Sequence, residues 1–99
     1  MDFKDLDTFI WDRGNETKNV ERHGVGKIEC EQVFFDTPVF FSDIKHSKIE
    51  ERYISQGETV GGRRLLIIFT IRNEKIRVIS ARDQNKKERI KYYKLINTQ

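Results

Sequence analysis

The stretch Leu65-Leu66-Ile67-Ile68-Phe69-Thr70-Ile71 is the most apolar part of the chain, and its surroundings decide the fold. Its branched and aromatic residues, with Gly61-Gly62 just before it, read as a central strand buried on both faces. Arg72-Asn73-Glu74-Lys75 reads as a hairpin loop, and Ile76 to Ala81 pairs back antiparallel. Simple alternation puts Ile76, Val78 and Ser80 on one face of this second strand and Arg77, Ile79 and Ala81 on the other. Upstream, Val39-Phe40-Phe41 and Arg52 to Gln56 are two more strand candidates, the latter bounded by Gly57, and Gly61-Gly62 signals a tight turn between strands. Strands that follow one another through short loops form an antiparallel sheet.

The flanks of this sheet read as helices. Asp12 to His23 is a short helix, with Asp12 or Asn15 able to accept the free N–H groups of its first turn and Gly24 able to end it. Val20 is nearly its only apolar residue, so the helix should lie mostly exposed. Lys27 to Phe35 is a second helix, with Cys30, Val33 and Phe34 on one apolar face. Asp36-Thr37-Pro38 stops it, because proline disfavours helix in the residue before it. A third helix begins near Lys86, where Asn85 and Glu88 have the spacing of a capping box. It aligns Ile90, Tyr93 and Ile96 on one face and Lys87, Lys91 and Lys94 on another. Phe9-Ile10-Trp11 is a short apolar start that could form an edge strand. The class is therefore α+β: two N-terminal helices, an antiparallel sheet of about four strands, and a C-terminal helix.

Length and composition exclude several function classes. Ninety-nine residues make one domain, 1–99, with a modest core and little room for a deep cofactor cavity. Eleven aromatic residues argue against disorder despite 35% charged residues. The apolar runs are too short for a membrane helix, and the acidic start Met1-Asp2-Phe3-Lys4-Asp5 is not a secretory signal. Cys30 is the single cysteine, which excludes an internal disulfide and points to a reducing, cytoplasmic setting. Charge is uneven. Residues 1–62 carry eight Lys/Arg against thirteen Asp/Glu, net −5, and residues 63–99 carry eleven against three, net +8. Such asymmetry points to a polyanionic partner for the second half, although solvation of a basic helix gives the same pattern.

Few side chains qualify for chemistry. His23 can exchange protons near neutrality, or simply complement the dipole of the helix it ends. His46 sits in a polar loop without a chemical role. Neither histidine belongs to a metal motif, so the expectation is no metal and no cofactor. Glu50-Glu51-Arg52 places a carboxylate beside a guanidinium, with the two glutamates on opposite faces of a strand. Arg64, Arg77 and Arg82 lie on or beside the most apolar strands, and arginine holds phosphate bidentately. The string of a phosphate-binding P-loop is absent around Gly57, Gly61 and Gly62. Cys30, on an apolar helix face, reads as a core residue.

Taken in order, these residues resemble the BrnT family. Phe9-x-Trp11-Asp12 and Lys18-Asn19-x-x-x-His23-Gly24-Val25 are similar to its opening. Val33-Phe34-x-Asp36, Glu50-Glu51-Arg52-Tyr53, Arg77-x-Ile79-Ser80-Ala81-Arg82, Glu88-Arg89 and Tyr92-Tyr93 continue the match over residues 9–94. Residues 1–8 form an N-terminal extension, and Tyr53 stands where the family often has Trp. The resemblance implies a RelE-like toxin of a type II toxin–antitoxin pair, a metal-independent endoribonuclease that stops translation. It also implies a BrnA-type antitoxin with a ribbon-helix-helix DNA-binding domain, a heterotetramer, and operator DNA reached only through the antitoxin. On this reading Glu51 or His23 transfers the proton, and Arg64, Arg77 and Arg82 stabilise the phosphate. Lys18, Arg52, Lys87, Arg89 and Lys91 hold the RNA backbone, and Trp11, Tyr53 or Tyr92 stacks on a base. The alternative is a non-catalytic module whose basic face binds nucleic acid or an acidic protein segment.

Overall fold

The structure is a computed structural model describing residues 6–36, 38–43 and 50–97. The polar loop with His46 lies outside the described residues. The elements are β1 (Phe9–Ile10), α1 (Arg13–His23), α2 (Lys27–Phe35), β2 (Val39–Ser42), β3 (Tyr53–Glu58), β4 (Arg64–Arg72), β5 (Lys75–Asp83) and α3 (Lys86–Asn97). They build one sheet in the order β1-β5-β4-β3-β2. The α+β class stands, with three helices. The sheet has five strands rather than four, because Phe9-Ile10 adds to the free edge of β5 in parallel, Phe9 opposite Ile76 and Ile10 opposite Arg77.

The apolar strand β4 is central, as its composition requires. Leu65, Ile67 and Phe69 are fully buried on one face with Val25, Cys30, Val33, Ile76, Val78 and Ala81. α1 and α2 cover this face. Burial of Cys30 pushes its thiol up to about 12, so it is a packing residue and not a nucleophile. α3 crosses the other face: Tyr93 bonds Glu58 and receives the guanidinium of Arg64 over its ring, and Lys91 lies over Phe41. The Asn85–Glu88 capping box forms in both directions at 2.8 Å. The helix face differs from expectation. Tyr92 is buried and Ile90 is exposed, because the helix rests on the sheet through its paired tyrosines.

Two details of β4 and β5 were not visible in alternation. Their hairpin closes with only two residues, Asn73 and Glu74, at φ +51° and +62°. A left-handed pair of this kind matches strand twist, so Arg72 and Lys75 are paired strand residues, not loop. Ile68 then pairs with Ser80 and Phe69 with Val78, leaving Ile79 as an extra, bulged residue. Beyond the bulge the faces exchange. Ala81 joins Ile76 and Val78 in the core, and Ser80 turns to the side of Arg77 and Arg82. Gly57 also departs from expectation: it lies inside β3, where a Cβ would meet Val33 Cγ1 at 3.0 Å. The strand passes that close beneath α2, so the glycine serves packing rather than a turn.

α1 is fastened by polar groups instead of an apolar stripe. Val20 is 51% exposed, while Asn15 and Asn19 are buried. Asn15 Nδ2 donates to the carbonyl of Val78 at 3.1 Å, and Asn19 Oδ1 accepts from the N–H of Ala81 at 3.1 Å. The two asparagines thereby satisfy backbone groups on either side of the bulge, beyond the reach of the two-residue β1. Asp12 and Asn15 cap the helix reciprocally, and Gly24 ends it at φ +63°, a conformation that favours glycine.

Arg63 locks the far end of α1. Its Nε and Nη2 donate to the Asp83 carboxylate at 2.7 and 3.1 Å, Nη1 to the Gly24 carbonyl at 2.8 Å, and Nη2 to the His23 carbonyl at 3.1 Å. Nη1 also reaches Glu29 at 3.2 Å. One guanidinium thus joins α1, α2 and β5. Arg63→Met is expected to cost about 2 kcal/mol, because charged hydrogen bonds are lost and helix-terminal carbonyls are left unpaired. For a domain of this size that lowers the thermal midpoint by roughly 8–16 °C, which a melting curve reads directly.

Candidate functional site

A charged hollow opens where the start of α1 meets the hairpin end of β4 and β5. Its volume is about 350 Å³, and Gly14, Asn15, Lys18, Glu50, Arg52, Arg72, Arg77, Val78 and Ile79 line it. Four cations and one carboxylate therefore share this wall.

Four segments place the five charged groups. Arg72 and Arg77 come from the sheet face opposite α1 and α2, because Thr70 pairs with Arg77 and Arg72 with Lys75 across the tight hairpin. Lys18 projects from α1, one turn past the buried Asn15. Glu50 and Arg52 arrive on the segment entering β3. That segment is pinned by Thr70, whose hydroxyl donates to the Glu51 carbonyl at 2.8 Å, and by the N–H of Asp43, which donates to the Arg52 carbonyl at 2.8 Å. Inside the hollow, Arg72 Nη2 and Nε meet the Glu50 carboxylate at 3.1 and 3.3 Å. At the rim, Arg77 Nη1 donates to Asp12 Oδ2 at 2.6 Å.

The structure brings together three of the residues singled out in the sequence: Lys18, Arg52 and Arg77. The others lie elsewhere. His23 ends α1 at the opposite end from Lys18, with its carbonyl on Arg63 and its ring close enough to Asp83 to contribute to lowering that acid's pKa. Glu51 follows Glu50 but accepts a hydrogen bond from the Tyr53 hydroxyl at 2.6 Å, which raises the tyrosine's pKa. Arg64 is engaged with Glu58 and Tyr93 under α3. Arg82 grips Glu88 through two bonds of 2.8 and 2.9 Å. Lys87, Arg89 and Lys91 belong to α3, and Arg89 donates to the Gln84 carbonyl. The aromatic candidates for base stacking pack inward: Tyr92 is buried, Tyr53 lies against Phe69, and Trp11 stacks on Phe9.

Arg72 and Glu50 complete the hollow; Arg72 reads as loop in the sequence, and Glu50 is named there beside Glu51 without a role of its own. A two-residue hairpin reading would have placed Arg72 in β4, one pair beyond Ile71 and on the face of Arg77. Glu50 carried half of that signal, since adjacent strand residues point to opposite faces and only one of the two glutamates can serve one site.

Among the described residues, no group of three or more His, Cys, Asp and Glu side chains is placed to hold a metal ion. No helix among them is long and apolar enough to cross a membrane.

Paired carboxylates outside the hollow make the fold acid-sensitive. The Arg63 guanidinium lowers the pKa of Asp83, and the Arg82 guanidinium lowers that of Glu88. A carboxylate with a depressed folded pKa stabilises the fold above its unfolded pKa, and that contribution is lost as pH falls through the folded value. Stability should therefore hold down to about pH 5 and drop below about pH 4, where unfolded carboxylates bind protons first. Denaturant titrations between these pH values check it, and Arg63→Met should flatten the slope.

The fold and the hollow define a small α+β protein with a cationic recess suited to an anionic backbone. Residues 11–88 match the family described as ribonuclease toxin, BrnT, of type II toxin–antitoxin systems. The chain therefore belongs to the BrnT family. Its fold resembles the crystal structure of the Brucella abortus ribonuclease toxin BrnT, with a TM-score of 0.61 and 23% sequence identity over 80% of this chain and 97% of that one. No curated protein sequence matches the chain.

Proposed function

We propose that the chain is a metal-independent endoribonuclease and that the hollow beside the start of α1 is where it cuts RNA. The observation that carries this reading is the convergence of Lys18, Arg52, Arg72 and Arg77 around the single lining carboxylate, Glu50. Cations so placed hold the non-bridging oxygens of a phosphodiester and stabilise the extra charge of a five-coordinate phosphorus. The nucleophile is the substrate's own 2′-hydroxyl. Glu50 takes its proton, O2′ attacks phosphorus, and the bond to O5′ breaks. Lys18 supplies the proton to the departing O5′, and water restores both side chains. The products are a 2′,3′-cyclic phosphate and a 5′-hydroxyl end. Glu51 and His23 remain the other candidates for proton transfer, and both lie outside the hollow's lining.

Arg64, Arg82, Lys87, Arg89 and Lys91 would extend a basic track along the sheet and α3 for flanking phosphates. Such contacts confer salt-sensitive affinity without sequence preference. As a member of its family the chain is paired with an antitoxin, here proposed to be of the BrnA type. An acidic antitoxin segment laid over the hollow would block RNA entry, and a dimeric ribbon-helix-helix antitoxin would carry two toxin chains to operator DNA as a heterotetramer.

The test is to incubate the purified chain with a defined single-stranded RNA in EDTA. New fragments, suppressed by added antitoxin, support the proposal. RNA retained whole, in a complex that weakens steeply with salt, identifies a non-catalytic binding module instead. Repetition with translating ribosomes then separates that module from a ribosome-dependent enzyme.

A further inference from the structure

The reaction as drawn makes no use of Asp12, yet this residue ties the Arg77 guanidinium to the start of α1. Its Oδ2 accepts from Arg77 Nη1 at 2.6 Å, and its Oδ1 accepts from the N–H of Asn15 at 3.0 Å. Asn15 Oδ1 returns a bond to the Asp12 N–H at 2.7 Å. Asn15 Nδ2 in turn donates to the carbonyls of Ile10 and Val78, at 3.0 and 3.1 Å. The start of α1, the end of β1, the edge of the bulge and the Arg77 guanidinium are thus one hydrogen-bonded unit. The Arg77 side chain is only 20% exposed, and the Asp12 carboxylate meets its tip.

We infer that Asp12 is the positioning residue of the site, holding the Arg77 guanidinium toward the phosphate position before RNA arrives. The inference rests on the reading of the hollow as the phosphate site. Holding a charged group in place beforehand removes the cost of ordering it during reaction. An anion beside the guanidinium also repels phosphate. The two effects act on different constants, so they can be told apart. Loss of the negative charge alone strengthens RNA binding. Loss of positioning lowers the rate of the bound complex.

Asp12→Asn separates them. Asparagine caps a helix as well as aspartate does, so the Oδ1 bond to Asn15 and the start of α1 persist. The carboxylate oxygen that holds Arg77 is replaced by an amide, and the ion pair is gone. The expected result is an unchanged thermal midpoint, a KM for RNA that is unchanged or lower, and a kcat reduced about 10-fold. A general folding defect would move the midpoint, and simple charge removal would not lower kcat.

A second readout needs no RNA. NMR relaxation of the Arg77 Nε–H should show an ordered group in the parent protein and a mobile one in Asp12→Asn. Equal order in both proteins overturns the inference whatever the cleavage assay gives. A mobile Arg77 with unchanged kcat overturns it as well. Parent protein that leaves RNA whole fails the phosphate-site reading instead, and the relaxation result then decides whether Asp12 holds Arg77.

Discussion

Glu50→Gln protein is expected to cut RNA about 10²- to 10⁴-fold more slowly than the parent, the range over which a positioned general base contributes. The amide keeps the shape of the carboxylate and can still accept from Arg72, but it takes no proton from a 2′-hydroxyl. The fold should not suffer. Glu50 enters β3 at the surface, and its pair with a half-exposed Arg72 is of the kind that contributes about 0–1 kcal/mol. An unchanged melting midpoint with a lost rate therefore isolates chemistry from stability. Glu51→Gln and His23→Ala are the paired controls. Glu51 is committed to the Tyr53 hydroxyl, and His23 ends α1 beside Asp83, so both proteins should cleave at the parent rate. Loss of cleavage in either control, with Glu50→Gln unaffected, would transfer the proton to that residue.

The largest expected loss of stability is at Phe69. Its ring is fully buried, with Phe34, Tyr53 and Phe40 centred 5.0, 5.6 and 6.0 Å away. It therefore couples α2, β2 and β3 to the central strand, directly beside the bulge. Phe69→Ala removes the ring and leaves a cavity that three aromatic neighbours cannot fill, at a cost of about 3–5 kcal/mol. A domain of this size holds roughly 5–10 kcal/mol in all, so the variant should lose about half of its stability. Phe69→Leu preserves most of the volume and should cost about 1.5 kcal/mol or less. Denaturant titration of the three proteins reads this order directly.

The helices were legible in the sequence because their ends carry their own chemistry. Asp12, Gly24, Pro38 and the Asn85–Glu88 pair mark boundaries that need no knowledge of distant residues. The central hairpin was legible because a run of six apolar residues and one threonine has few alternatives. What escaped notice depends on distant partners. Phe9-Ile10 was readable as an edge strand, but not its parallel partner β5, sixty-seven residues along the chain. The bulge at Ile79 is fixed by Asn15 and Asn19, polar residues on a helix whose sequence gave no sign of a buried side. That single extra residue exchanges the faces beyond it, taking Ala81 into the core.

The candidate site was half legible for the same reason. Arginines on the sheet and the Glu-Glu-Arg string marked strands that line the hollow, where Arg77, Arg52 and Lys18 converge. Arg64 and Arg82 have the same local signature, yet α3 engages both, Arg64 through Tyr93 and Arg82 through Glu88. Glu50 and Glu51 differ in which of them faces Arg72, and only the folded strand shows that.

The most direct measurement is to map the ends of RNA cut by the purified chain in EDTA, beside an Arg77→Ala control. The account predicts 2′,3′-cyclic phosphate and 5′-hydroxyl ends, and a rate about 10²- to 10³-fold lower in the control, as for loss of one charge-stabilising donor. Fragments with 5′-phosphate ends, or an Arg77→Ala protein that cuts at the parent rate, would contradict it.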